Sequence, residues 1–147
     1  MHAATYFAML YLATVTAHTL TMVVVSAAAQ CLLGAIWYGV VFKKSWMKLA
    51  GFAEGQQPKN RLFGVVASFI ACFVLSFVLA RIVGLAGAGD VTGGASIAIV
   101  CWFGFMAPPL FTQHIFENRR ANLFAINAGY WLVAMALGGG ILAAFHG

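Results

Sequence analysis

The distribution of charge constrains this chain more than any other feature. No Lys, Arg, Asp or Glu occurs in 1–42, 62–80, 91–116 or 121–147. A bilayer core about 30 Å thick is crossed by roughly 20 apolar residues of helix. Each of the last three runs supplies one crossing. The runs lack the in–out alternation of a membrane barrel, and a helix satisfies its own backbone groups in lipid. The whole chain is 63% hydrophobic and 7% charged, where a soluble domain carries about 25% charged residues. That contrast excludes both an ordinary soluble enzyme and a disordered chain. The expected fold class is an all-α integral membrane protein: four transmembrane helices in a small bundle, plus a short apolar N-terminal segment.

The first run is too long for one crossing, because 42 residues of helix extend about 63 Å. Thr14, Thr16, His18, Thr19 and Thr21 interrupt it. The expected spans are therefore Thr21–Val41, Leu62–Gly84, Ser96–Phe116 and Asn122–Phe145. Residues 1–20 form an interfacial or docking segment, and 21–147 the four-helix transmembrane domain. Ala3–Ala17, with Tyr6, Phe7 and Tyr11, lies in the interface or forms a fifth short span. It has no basic start, which disfavours a cleaved signal peptide.

Charge orients the bundle. Lys43, Lys44, Lys48, Lys59 and Arg61 oppose only Glu54 in the first connection, a net of plus four. The second connection holds Asp90, and the third holds Glu117, Arg119 and Arg120. Short basic loops stay on the cytoplasmic side, so both termini are expected outside. Arg81, near the outer end of the second span, is expected to snorkel to the headgroups. The positive loop also implies contact with anionic lipid. No separate polar surface exists for nucleic acid.

Within the spans, small residues mark packing. Gly64, Ser68, Cys72, Ser76, Ala80 and Gly84 recur every four residues along the second span, the spacing that lets two membrane helices approach closely. Ala125 and Gly129 repeat it briefly in the fourth span. Gly138, Gly139 and Gly140 are expected to loosen the end of that helix. Pro108 and Pro109 remove two amide donors, which predicts a kink or early end near Met106–Ala107. Cys31, Cys72 and Cys101 show no metal-ligand spacing and read as small packing residues.

Polar side chains at membrane depth are few. Gln30 and Asn127 are candidates for hydrogen bonds between helices, each of modest strength. His114, Glu117, Arg119 and Arg120 form the densest polar cluster at a membrane boundary. It reads as an ion-pair network, with ion coupling as the functional alternative. Trp46 is an interfacial anchor, while Trp37 and Tyr38 lie deeper, against an interior groove.

Phosphate-binding glycine loops, Ser nucleophile elbows, Cys-x-x-Cys pairs and His-Glu-x-x-His runs are all missing from the sequence. No catalytic residue, cofactor or metal site is expected, and the chain does not read as an enzyme.

Gly34-Ala35-Ile36-Trp37-Tyr38-Gly39, followed by Phe42-Lys43-Lys44-Ser45-Trp46-Met47 and Gly51, resembles the start of a bacterial membrane family catalogued as domain of unknown function 1761. Phe116-Glu117-Asn118-Arg119 and Phe124-Ala125-Ile126-Asn127-Ala128-Gly129-Tyr130 are similar to its later part. The resemblance runs from about Thr21 to the C-terminus. It implies a small, multi-pass, four-helix protein of the bacterial inner membrane, and it carries over no catalytic residue.

Two functional classes remain. The first is a non-catalytic interaction protein, an accessory or stabilising subunit of a larger membrane complex, associating with a membrane partner or with its own copies. The second is a small oligomeric transporter or channel lined by Gln30, Asn127, His114 and Glu117. The two differ in whether those polar groups converge on one continuous cavity.

Overall fold

The computed structural model describes residues 17–52 and 60–145. Among the described residues six α-helices follow in order: α1 (Ala17–Ile36), α2 (Lys43–Leu49), α3 (Arg61–Leu85), α4 (Val91–Cys101), α5 (Ala107–Phe116) and α6 (Ala121–Ala144). Wide turns of π-helix join α1 towards α2 at Trp37–Val41 and α4 to α5 at Trp102–Met106. Four stretches of the described residues are long and apolar enough to cross a membrane: His18–Val41, Leu62–Leu85, Val91–Phe116 and Ala121–Ala144. The proposed segment Ala3–Ala17 lies outside the described residues, except for Ala17 at the start of α1.

The observed boundaries follow the charge-free runs, with two extensions. The first helix begins before Thr21, because threonines interrupt hydropathy without breaking a helix. The third apolar stretch begins at Val91 instead of Ser96. Asp90 lies just ahead of it and accepts a hydrogen bond from the Gly93 amide at 2.7 Å. This N-cap satisfies an orphan amide and starts the helix at the loop.

The proline pair widens its helix without ending the apolar stretch. Ahead of it, the Ala107 amide reaches back five residues to the Trp102 carbonyl. This widening absorbs the donors that Pro108 and Pro109 lack, and the prolines then sit in the first turn of α5, where missing amides cost least. The turn at Trp37–Val41 is built alike, with the Phe42 amide bonded to the Trp37 carbonyl at 2.8 Å.

Helix α6 is the centre of the bundle. Half of its apolar window is buried, against about a fifth in each of the other three spans. Gly138, Gly139 and Gly140, which the sequence suggests as a loosened end, are instead buried within a helix that continues to Ala144. Gly139 lies backbone to backbone against Gly94 of α4: a Cβ added at either glycine would collide with the other's carbonyl oxygen. Ala98 and Ala143 complete the contact, so Gly94/Ala98 faces Gly139/Ala143 with the same four-residue spacing on both helices. Gly138 gives room to Gln30 of α1, and Gly140 to Val91 of α4. Three adjacent glycines thus admit two neighbours at once. Arg81, expected to snorkel outward, is half-buried, with its guanidinium 5.8 Å from the centre of the Phe77 ring.

α2, α3 and α5 end alike, in a Schellman motif. After α5, Asn118 takes φ +51°, the Asn118 amide bonds the Ile115 carbonyl at 3.0 Å, and the Arg119 amide bonds the His114 carbonyl at 3.2 Å. Gly51 and Gly87 take the corresponding left-handed positions after α2 and α3. The Asn118 turn fixes where Glu117, Arg119 and Arg120 stand.

Candidate functional site

Polar groups gather in two places, and a groove opens in a third. The first place is inside the bundle. Gln30 Nε2 donates to Ser76 Oγ at 2.8 Å and to Ser26 Oγ at 3.2 Å, and the two serine hydroxyls lie 3.0 Å apart. All three side chains are fully buried. Gln30 therefore ties α1 to α3 at the level of Gly138. Ser26 is a partner that sequence reading passed over, although its four-residue offset from Gln30 placed it on the same face.

The second place is the end of the bundle where α1, α5 and the basic connections meet. Here Glu117 accepts a hydrogen bond from Gln113 Nε2 at 2.7 Å and pairs with Arg119. His114 Nε2 bonds the Arg120 carbonyl at 2.7 Å. Gln113, His114, Glu117, Arg119 and Asn127 line one cleft of about 150 Å³. The Gln113 hydrogen bond, then the positive charges of Arg119 and His114, hold the Glu117 carboxyl below its ordinary range. The sequence grouped His114, Glu117, Arg119 and Arg120 and missed Gln113, whose signal was its four-residue offset from Glu117. Arg120 enters through its carbonyl, not its guanidinium.

Asn127 joins this cleft to the aromatic residues of the first span. Its Oδ1 accepts a hydrogen bond from Tyr38 Oη at 3.2 Å. Trp37 Nε1 donates to the Ile126 carbonyl at 3.0 Å, and Tyr130 Oη donates to the Gln30 carbonyl at 3.2 Å. Gly34 leaves room for the Tyr130 hydroxyl, which a Cβ would approach to 3.1 Å. Phe52, Trp46, Tyr38, Tyr130 and Trp131 form a chain of ring contacts, with neighbouring centroids 5.0–5.4 Å apart. Trp37 and Tyr38 thus bind α1 to α6 as well as facing the interior.

The third feature is an apolar groove of about 660 Å³ between α1 and α3, floored by Tyr130 and Trp131 of α6. Gly34 and Ala35 line one side, and Gly64, Ser68 and Ala71 the other. The small-residue row of α3 is thereby divided. Cys72, Ser76 and Ala80 are buried, Gly84 is half-buried, and Gly64 and Ser68 are exposed. Cys31, Cys72 and Cys101 are free thiols, and no metal-ligand cluster occurs among the described residues.

No curated protein and no solved structure matches the chain. A protein-family match covers residues 21–143, from the fifth residue of α1 through all but the last residue of α6. A helical bundle with four membrane-length apolar stretches, the aromatic and amide contacts that bind α1 to α6, and this match lead to one conclusion: the chain belongs to the family described as "Protein of unknown function (DUF1761)".

Proposed function

We propose that this protein is a non-catalytic membrane interaction protein, an accessory or stabilising subunit that docks a partner's transmembrane helix in the groove between α1 and α3. The single observation behind this reading is the divided row of α3. Small residues in lipid gain by close helix contact, and here Gly64 and Ser68 stand exposed at the helix-packing spacing, with none of the described helices packed on them. Ala35 across the groove is also small and exposed, so a third helix can approach both sides. The setting is a cell inner membrane, with the basic connections cytoplasmic.

The transport alternative draws on Asn127, His114 and Glu117, which share a cleft. Gln30 lines neither that cleft nor the groove and is sealed in its serine cluster. A convergent polar path therefore has less support than a docking face.

Substituting Ser68→Leu fills the groove without touching the packed half of α3. Crosslinking and native gels of the protein in its own membranes should then lose the assembled species while the monomer stays folded. Assembly at the wild-type level in Ser68→Leu and Gly64→Leu would overturn the docking role.

A further inference from the structure

We infer that a third cavity, which shares Arg119 and Asn127 with the polar cleft, is a binding site for the phosphate headgroup of an anionic phospholipid. It encloses about 540 Å³ between the end of α1, α2 and the first turns of α6. One wall is aromatic: Tyr38, Trp46 and Phe52, with Trp46 5.4 Å from the ring centre of each of the other two. The other wall presents Arg119 and Asn127.

Both polar groups keep donors for a ligand. Arg119 meets Glu117 through Nε, which leaves the two terminal nitrogens of its guanidinium for another anion. Asn127 uses its Oδ1 to accept from Tyr38, so its amide nitrogen is the end left to donate. Two donor groups beside three rings suit a phosphate diester on a glycerol backbone.

The surroundings match that charge. Lys43, Lys44 and Lys48 are exposed on α2, the helix that carries Trp46. Glu117 is the one carboxylate at this end among the described residues, and it is already engaged. Immediately before α2, Val40 and Val41 are 75% and 60% exposed. Acyl chains leaving the cavity therefore have apolar surface to follow. A lipid fits this place better than a soluble phosphate ester, because aromatic rings and apolar flanks mark the membrane boundary.

Nanodiscs of phosphatidylcholine doped with phosphatidylglycerol, read by native mass spectrometry, test the site. The wild-type protein should retain one phosphatidylglycerol with about fivefold preference over phosphatidylcholine, the effect of one basic contact near a surface. Arg119→Gln should bring the preference close to parity, and Arg119→Lys should recover part of it. The double substitution Lys43→Gln and Lys44→Gln, outside the cavity, should leave most of it. A preference that survives Arg119→Gln, or that vanishes in the double variant Lys43→Gln and Lys44→Gln, would assign binding to the diffuse field of the loop and overturn the site. Displacement of the lipid by millimolar glycerol 3-phosphate would identify a soluble phosphate ester as the ligand and overturn the lipid assignment. In unmodified protein, phosphatidylglycerol with a photoreactive headgroup should label the peptide holding Trp46 and Phe52. Labelling confined to other peptides would overturn the site whatever the variants do.

Discussion

Along α3 the same four-residue spacing has two outcomes. From Cys72 to Ala80 the small residues are buried against α1 and α6, and Ser76 is bonded to Ser26 and Gln30. From Leu62 to Ala71 every residue is exposed, although Gly64 and Ser68 belong to the same row. The bundle is closed towards Gly94 and Gly139 and open towards the basic connections. The residues responsible lie on the neighbours. In the closed half, glycines on α6 and α4 let backbones touch. In the open half, the large rings of Tyr130 and Trp131 line the space between α1 and α3. A small residue permits close approach, and only an equally small surface opposite completes it.

The sharpest way to break this comparison is to add one methyl group to each half. Gly139→Ala places a Cβ on the Gly94 carbonyl and 2.6 Å from the Ala98 Cβ. Two backbones must separate, and overpacking of this kind costs about 2 kcal/mol or more. Gly64→Ala meets nothing within 4 Å, so it should be neutral, or stabilising by about 0.5 kcal/mol through helix propensity. Reversible unfolding in mixed micelles measures both. Equal destabilisation by the two would show that the open half is also packed.

The hydroxyl groups give a finer contrast. Ser76→Ala removes an acceptor from buried Gln30 and should cost about 1 kcal/mol. Ser68→Ala, on the exposed part of the row, should cost close to nothing by the same measurement. A loss at Ser68 as large as that at Ser76 would mean that Ser68 has a partner of its own in the assembled protein.

How much of this was legible in the sequence depends on the kind of signal. The spans were, because charge-free length is a property of one segment at a time. The wide turn before Pro108 and Pro109 was half legible: proline dictates a disturbance, but not that the helix widens and continues. The tripled glycine was misleading. Read alone, Gly138–Gly140 favours disorder of a helix end. Read with Gln30, Gly94 and Val91 opposite, it is a close contact with two helices at once, and no local rule connects positions so far apart. The candidate site shows the same division. His114, Glu117 and Arg119 were grouped because they are adjacent in sequence. Tyr38 and Asn127 meet across 89 positions, and only the fold brings the aromatic wall to the polar cleft.

The smallest effect concerns Glu117 at the open end. Its carboxyl is held below the ordinary value of 4.5, first by the Gln113 hydrogen bond and then by Arg119 and His114. A depressed folded value means that the carboxylate form supports the local structure. That support is complete above the ordinary carboxylate range and fades as pH falls through the lowered value. Between pH 6 and pH 8, roughly one unit or more above that range, Glu117 should not change charge, so any pH dependence of binding there has another source. Because the side chain is exposed, the effect on overall stability should be slight and the useful readout is local. Selective carboxyl labelling resolves two glutamates, Glu117 and Glu54, and Glu117→Gln assigns the pair. The Glu117 resonance should titrate below 4.5, and Gln113→Ala should move its midpoint up. A midpoint at or above 4.5 in the folded protein would mean that the turn after α5 is not closed in solution. The polar cleft would then lack the fixed Glu117–Arg119 arrangement that sets it apart from the apolar groove.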